Sequence, residues 1–205
     1  MALVTEQEID NLVAENQKRY DEIYGTYDPM TGEGCYTFEH RVKIELSDFF
    51  ITKMLVTKKT AKSVLVRGLI KMGRLKDYIN YVLHQKDDAQ HFQMLTFAIC
   101  RVRFMEDPEF ALYVTDKIED KKTGKMIPFK LNYPQRKLLK IMEDLRNAHK
   151  PVFLVILKAR QWGGSTLSQL YIKWIQDYRR DGWNAIVLAQ QKNTAKKIKA
   201  MYRKA

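Results

Sequence analysis

The chain has 205 residues, carries 36 Lys and Arg against 24 Asp and Glu for a formal net charge of +12, and is 45% hydrophobic. That length accommodates one large domain or two small ones, and that apolar content excludes wholesale disorder. The longest apolar run, Val152–Leu157, is too short to span a bilayer, and the opening MALVTEQEIDNL has no signal-peptide apolar stretch. Two cysteines, Cys35 and Cys100, with no CxxC spacing, exclude a disulfide scaffold and predict a reducing, intracellular setting. The charge is uneven, at −7 over residues 1–40, +3 over 41–120 and +16 over 121–205. A basic carboxy-terminal half beside an acidic arm is the footprint of a polyanion partner; it is equally the composition of a solvated surface that keeps a protein soluble.

Thr5 with Glu8 three residues on forms a capping box, which predicts a helix to about Tyr24. Residues 25–35, GTYDPMTGEGC, are turn-rich and predict a loop. From Tyr36 to about Val56 apolar residues are frequent without a clear period, and mostly helix is expected. Two helices follow over 59–72 and 74–84, broken near Gly73. Asp87 or Asp88 caps a helix to about Phe104 with Phe92, Leu95, Ile99 and Val102 at helical spacing, and Asp107-Pro108 starts a short one. His40, His84, His91 and His149 have no metal-ligand spacing and read as surface or packing residues. Lys117-Ile118 and Met126–Phe129 flank Thr123-Gly124, the pattern of a hairpin with a glycine turn.

Beyond it the pattern changes to alternating helices and apolar runs. Pro134 to Asn147 reads as a helix with Leu138, Leu139, Met142 and Leu145 on one face, and Pro151 as its stop. Val152–Leu157, short, uninterrupted and β-branched, predicts a strand covered on both faces. After a loop over 158–164, Ser165 to Arg180 predicts a helix with Leu167, Leu170, Tyr171, Trp174, Ile175 and Tyr178 inward and Gly182 as its C-cap. Ala185–Ala189 predicts a second buried strand, and Asn193 or Thr194 caps a last, Lys-rich helix. Strand, loop, helix and strand in that order define a βαβ unit with a parallel crossover.

The loop Lys158-Ala159-Arg160-Gln161-Trp162-Gly163-Gly164-Ser165-Thr166 carries the candidate chemistry. It joins a predicted strand to a helix start, where unpaired backbone N–H groups cradle phosphate oxygens. Gly163 and Gly164 let the backbone approach an anion, and Ser165 is placed to ligate Mg²⁺. Against G-x-x-x-x-G-K-[ST], Gly164 stands where the lysine belongs and Lys158 where the first glycine belongs, as though the ammonium had moved to the loop's start. Arg160 adds a second cation for a γ-phosphate. A Gly-Gly-Ser turn is also an ordinary tight connection. Upstream, Tyr133-Pro134-Gln135-Arg136 offers an amide that matches an adenine edge and a ring that stacks on it.

N-Y-P-Q-R-K-L-L, then a predicted strand, then K-A-R-Q-W-G-G-S-T, resembles the large terminase subunit of tailed bacteriophages, the ATP-driven motor that packages DNA into capsids. D-P-E-F-A-L-Y-V and I-P-F-K-L-N are similar to the lead-in of that ATPase domain, so the likeness covers roughly 105–205. It implies an α/β fold with a mainly helical amino-terminal region (1–104) followed by the beginning of a P-loop ATPase core with a parallel sheet (105–205). It implies that Gln135 contacts adenine with Tyr133 near it, that Lys158 holds the β/γ-phosphates, and that Arg160 acts catalytically on the γ-phosphate. Gly163 and Gly164 shape the loop, Ser165 ligates Mg²⁺ and Thr166 donates to a phosphate. The implied cofactors are ATP and Mg²⁺. The implied partners are double-stranded DNA, a portal protein, a small terminase subunit and, in the intact motor, further copies in a ring, in the cytoplasm of the bacterial host and with no membrane.

DNA contacts are expected from Lys192, Lys196, Lys197, Lys199, Arg203 and Lys204, which otherwise form a solvated helix face. The family's Walker B strand ending in Asp-Glu has no counterpart after residue 166, since Ala185–Ala189 runs into Gln190-Gln191. The clustered acids of its nuclease domain are missing too. The sequence therefore reads as an amino-terminal portion of such a motor, expected to bind nucleotide without turning it over. The alternatives are another nucleic-acid-dependent P-loop motor of helicase type, and a non-catalytic basic module that binds nucleic acid or protein.

Overall fold

A computed structural model describes residues 5–35, 41–84, 89–120, 122–157 and 162–180, together with 182, 184–186, 188, 193, 195, 196 and 200. Its described elements run α1 (Glu6–Tyr24), β1 (Arg41–Glu45), β2 (Lys53–Thr57), α2 (Lys58–Lys62), α3 (Val64–Met72), α4 (Leu75–Leu83), α5 (Ala89–Glu106), α6 (Pro108–Thr115), β3 (Lys117–Glu119), β4 (Met126–Pro128), α7 (Tyr133–Asn147) and α8 (Gly164–Tyr178). The fold is α/β, mostly helical, with two small antiparallel sheets. No described helix is long and apolar enough to cross a membrane.

Local chemistry sets most boundaries. α1 opens on the predicted Thr5–Glu8 capping box. It stands with Ile9, Leu12, Val13 and Tyr20 exposed. α3 ends at Gly73, whose φ of +71° is the left-handed stop a glycine supplies. α6 takes Asp107 as N-cap, the carboxylate accepting from the Phe110 N–H at 3.3 Å, with Pro108 in the first turn. β3 and β4 form the expected hairpin, with Gly124 at φ +66°. The predicted caps Asp87 and Asp88 lie outside the described residues.

Two expectations are corrected. The helix expected over Tyr36–Val56 is instead the β1–β2 hairpin, in which Ile44 faces Met54 and Val42 faces Val56. Val42 and Ile44 on one strand, and Met54 and Val56 on the other, bury alternate positions against a helical layer, so a period of two prevails over helix propensity. Val152–Leu157 is likewise not a covered strand: it belongs to neither helix nor sheet, and Phe153, Val155 and Leu157 are almost wholly exposed. Ile186 and Leu188, from the second expected strand, are also exposed, while Ala189 lies outside the described residues. A covered strand needs a hydrogen-bonded neighbour and a layer on each face, and neither run pairs with a described strand.

Two hydrophobic clusters carry the packing. One gathers Ile44, Met54 and Val56 of the hairpin with Val66, Leu69, Leu75 and Ile99. The other gathers Leu112, Phe129 and Leu131 with Leu138, Leu139 and Met142 of α7 and Leu167, Leu170, Trp174 and Ile175 of α8. The inward faces of α7 and α8 are thus largely those the spacing predicts. The Trp174 indole N–H donates to the Phe104 carbonyl at 2.7 Å, tying α8 to the end of α5.

Between the clusters lies a buried charge network. The Arg41 guanidinium grips Asp107 through two hydrogen bonds, at 2.7 and 2.8 Å, and reaches Glu109 at 3.1 Å. Arg103 adds a longer contact to Asp107 at 3.9 Å and lies 3.6 Å from the Phe110 ring centroid. Burial opposes ionisation of Asp107, but Arg41 and then Arg103 override it and hold the carboxyl below the ordinary aspartate range. Cys35, buried beside the same acids, is pushed well above the ordinary thiol range by burial first and then by Glu109.

Candidate functional site

α7 and α8 meet through their first turns. Asn132 is the N-cap of α7 and Gln135 its third helical residue, and together they close a capping box. The Asn132 Oδ1 accepts from the Gln135 N–H at 3.0 Å, and the Gln135 Oε1 accepts from the Asn132 N–H at 2.9 Å. Each amide then has its nitrogen directed at the loop before α8. The Asn132 Nδ2 donates to the Trp162 carbonyl at 3.0 Å, and the Gln135 Nε2 donates to the Gly163 carbonyl at 2.9 Å. These assignments are unambiguous, because one end of each amide meets a backbone N–H and the other a backbone carbonyl.

Gly163 caps α8 in the left-handed region, at φ +82°, which favours glycine. A Cβ there would lie 2.5 Å from the Gln135 Nε2. The Gly163 carbonyl also accepts from the Leu167 N–H at 3.1 Å. The indole of Trp162 packs against Gly164, where a Cβ would meet it at 2.6 Å. Gly164 is buried and Ser165 exposed at the start of α8, where a helix's first backbone N–H groups have no intrahelical partner. A left-handed residue leading into a helix start is the geometry of an anion-binding nest.

The loop is reached from the amino-terminal region through Arg136. Its guanidinium donates to the Gly34 carbonyl and lies 4.3 Å from the Tyr27 ring centroid. The predicted 25–35 loop is therefore packed onto the first turn of α7. At the far end of α7, Glu143 pairs with Arg146 and accepts from the Tyr171 hydroxyl at 2.7 Å, fixing α7 against α8.

Of the predicted site residues, Tyr133, Gln135, Gly163, Gly164, Ser165 and Thr166 come together at this junction. Tyr133 carries the Lys137 ammonium 4.6 Å from its ring centroid. Lys158 and Arg160 lie outside the described residues, as do Lys192, Lys197, Lys199, Arg203 and Lys204. Lys196 is described, helical and exposed. Sequence reasoning missed Asn132, although Asn-x-x-Gln ahead of an apolar run is a capping-box signature. It also missed that Trp162 packs against the core.

A separate cavity of about 390 Å³ lies between α2 and α7, lined by Lys58, Lys59, Lys62, Arg136, Lys140 and Glu143 among others. None of the predicted site residues lines it among those described. No described group of three or more His, Cys, Asp and Glu is arranged to hold a metal ion. No protein-family model, curated protein or solved structure matches the chain.

Proposed function

We propose that this chain is the nucleotide-binding portion of a DNA-packaging motor of the large-terminase type, holding the phosphates of ATP and its Mg²⁺ at the first turn of α8. The observation that carries the reading is the junction itself. Two segments singled out separately, N-Y-P-Q and W-G-G-S-T, meet at a hydrogen bond of 2.9 Å between Gln135 and Gly163. In this reading the N–H groups of Gly163 to Thr166 receive the phosphate oxygens, Lys158 supplies the cation for the β/γ-phosphates, Arg160 acts on the γ-phosphate and Ser165 ligates Mg²⁺. The chain would bind nucleotide at this turn. It would work in a bacterial host's cytoplasm with duplex DNA, a portal protein, a small terminase subunit and further motor subunits.

Calorimetric titration of Mg-ATP into the wild type and Lys158→Ala tests the reading. It expects binding that weakens at least about tenfold in the variant, the loss of one charge-assisted phosphate contact. No binding by the wild type, or equal binding by both, would instead favour a basic module whose Gly-Gly turn is structural.

A further inference from the structure

Gln135 was expected to read the base, yet its amide is engaged elsewhere. One end closes the α7 capping box and the other holds the Gly163 carbonyl, and the residue is only 4% exposed. An adenine edge needs a donor and an acceptor presented together at an open surface, and although the amide keeps a second N–H and a second lone pair, its burial holds both away from such a surface.

What the amide does do is orient the loop. Asn132 and Gln135 hold two consecutive carbonyls, those of Trp162 and Gly163, towards α7. In a trans peptide the N–H points opposite to the C=O. The N–H groups of Gly163 and Gly164 are therefore turned away from α7, side by side. A Cβ at Gly163 would collide with the Gln135 Nε2, so the close approach belongs to this loop conformation. From this geometry we infer that Asn132 and Gln135 are positioning residues that set the loop's N–H groups for a triphosphate, and that the site selects the triphosphate and not the base. The second half of this inference rests on the phosphate-binding reading; the first half does not.

The decisive variant is Asn132→Ser. Serine keeps the N-cap acceptor for the Gln135 N–H but is too short and lacks the second donor for the Trp162 carbonyl. In the full-length wild type, Mg-ATP, Mg-GTP, Mg-CTP and inorganic tripolyphosphate should bind within about threefold of one another, as expected when no base edge is read. All four should weaken together, by about tenfold, in Asn132→Ser, with the melting temperature unchanged within about 2 °C. A preference for ATP of about tenfold or more in the wild type, removed by Gln135→Met, would overturn the inference and restore Gln135 as the base reader.

If the wild type binds none of the four, the phosphate-binding reading fails with the selectivity claim, and the positioning claim is decided in the free protein. The ¹⁹F line of 5-fluorotryptophan at Trp162, assigned with Trp162→Phe, should move towards the solvent-exposed position and broaden in Asn132→Ser. An unmoved line would remove the positioning role.

Discussion

Gly163→Ala would force a Cβ into the left-handed region and against the Gln135 amide. The strain and the displaced hydrogen bond should together cost about 2 kcal/mol, read as a lower urea midpoint with an unchanged slope. Arg41 is costlier to lose, because Asp107 would remain buried and charged with the Phe110 N–H and the longer Arg103 contact in place of a close cation. Arg41→Met should destabilise the fold by about 3–5 kcal/mol in equilibrium urea unfolding.

The pH dependence of that network has a definite sign. The carboxyl of Asp107 is depressed in the folded state. Its contribution is therefore present above the unfolded aspartate value of about 3.9 and is lost as pH falls through the lower folded value. Without Arg41 the folded value rises and the stabilisation disappears earlier. The acid-unfolding midpoint of Arg41→Met, followed by circular dichroism, should therefore lie at higher pH than that of the wild type.

At the scale of elements, helices with a capping residue and an apolar stripe were legible in the sequence. α1, α6 and α7 begin within a residue of their predicted starts, because a hydroxyl, a carboxylate or an amide oxygen there accepts from an orphan N–H, and α8 begins within a residue of its own behind the left-handed Gly163, with no side-chain cap. The β1–β2 hairpin was not legible. Its strands are five residues each, too short for a period of two to stand out among neighbouring apolar residues, and the partner that makes the alternation meaningful lies across an intervening turn. For the candidate site, residue types and the meeting of two distant segments were foreseeable, but the partner of each amide was not. Gln135 was read for what it offers a base, and the competing claim of its own helix start was overlooked.

The Val152–Leu157 run shows how an element depends on neighbours. Its residues have strand-forming side chains, yet no described strand pairs with it and Phe153 is 86% exposed. An exposed apolar run of this kind is a template for association. Val155→Lys should raise the concentration at which the protein scatters light and leave its melting temperature within about 1 °C, since Val155 has no contact to lose.

At the scale of the whole molecule, buried ion pairs tie Arg41 of the hairpin, from one cluster's side, to Asp107 and Glu109 at the start of α6, which feeds Ala111 and Leu112 into the other. The chain's +12 is concentrated in residues 121–205, the part that holds the candidate site, while α1 contributes an acidic arm. This asymmetry makes anion binding at α8 a question of local geometry as much as total charge, because a basic surface attracts any polyanion whereas oriented N–H groups favour a compact one.

The Arg41–Asp107 pair also has a kinetic meaning. It spans 66 residues, whereas the β1–β2 hairpin and the α3–α4 turn close over a few. Closing so long a loop loses entropy before the contact repays it. Local elements should therefore form ahead of the pair, which locks in after the barrier has been crossed. In a stopped-flow chevron Arg41→Met should lower the barrier from native to unfolded, raising the unfolding rate by about a hundredfold or more, while refolding proceeds at nearly the wild-type rate. The guanidinium would thus govern how long the native state lasts more than how quickly it is reached.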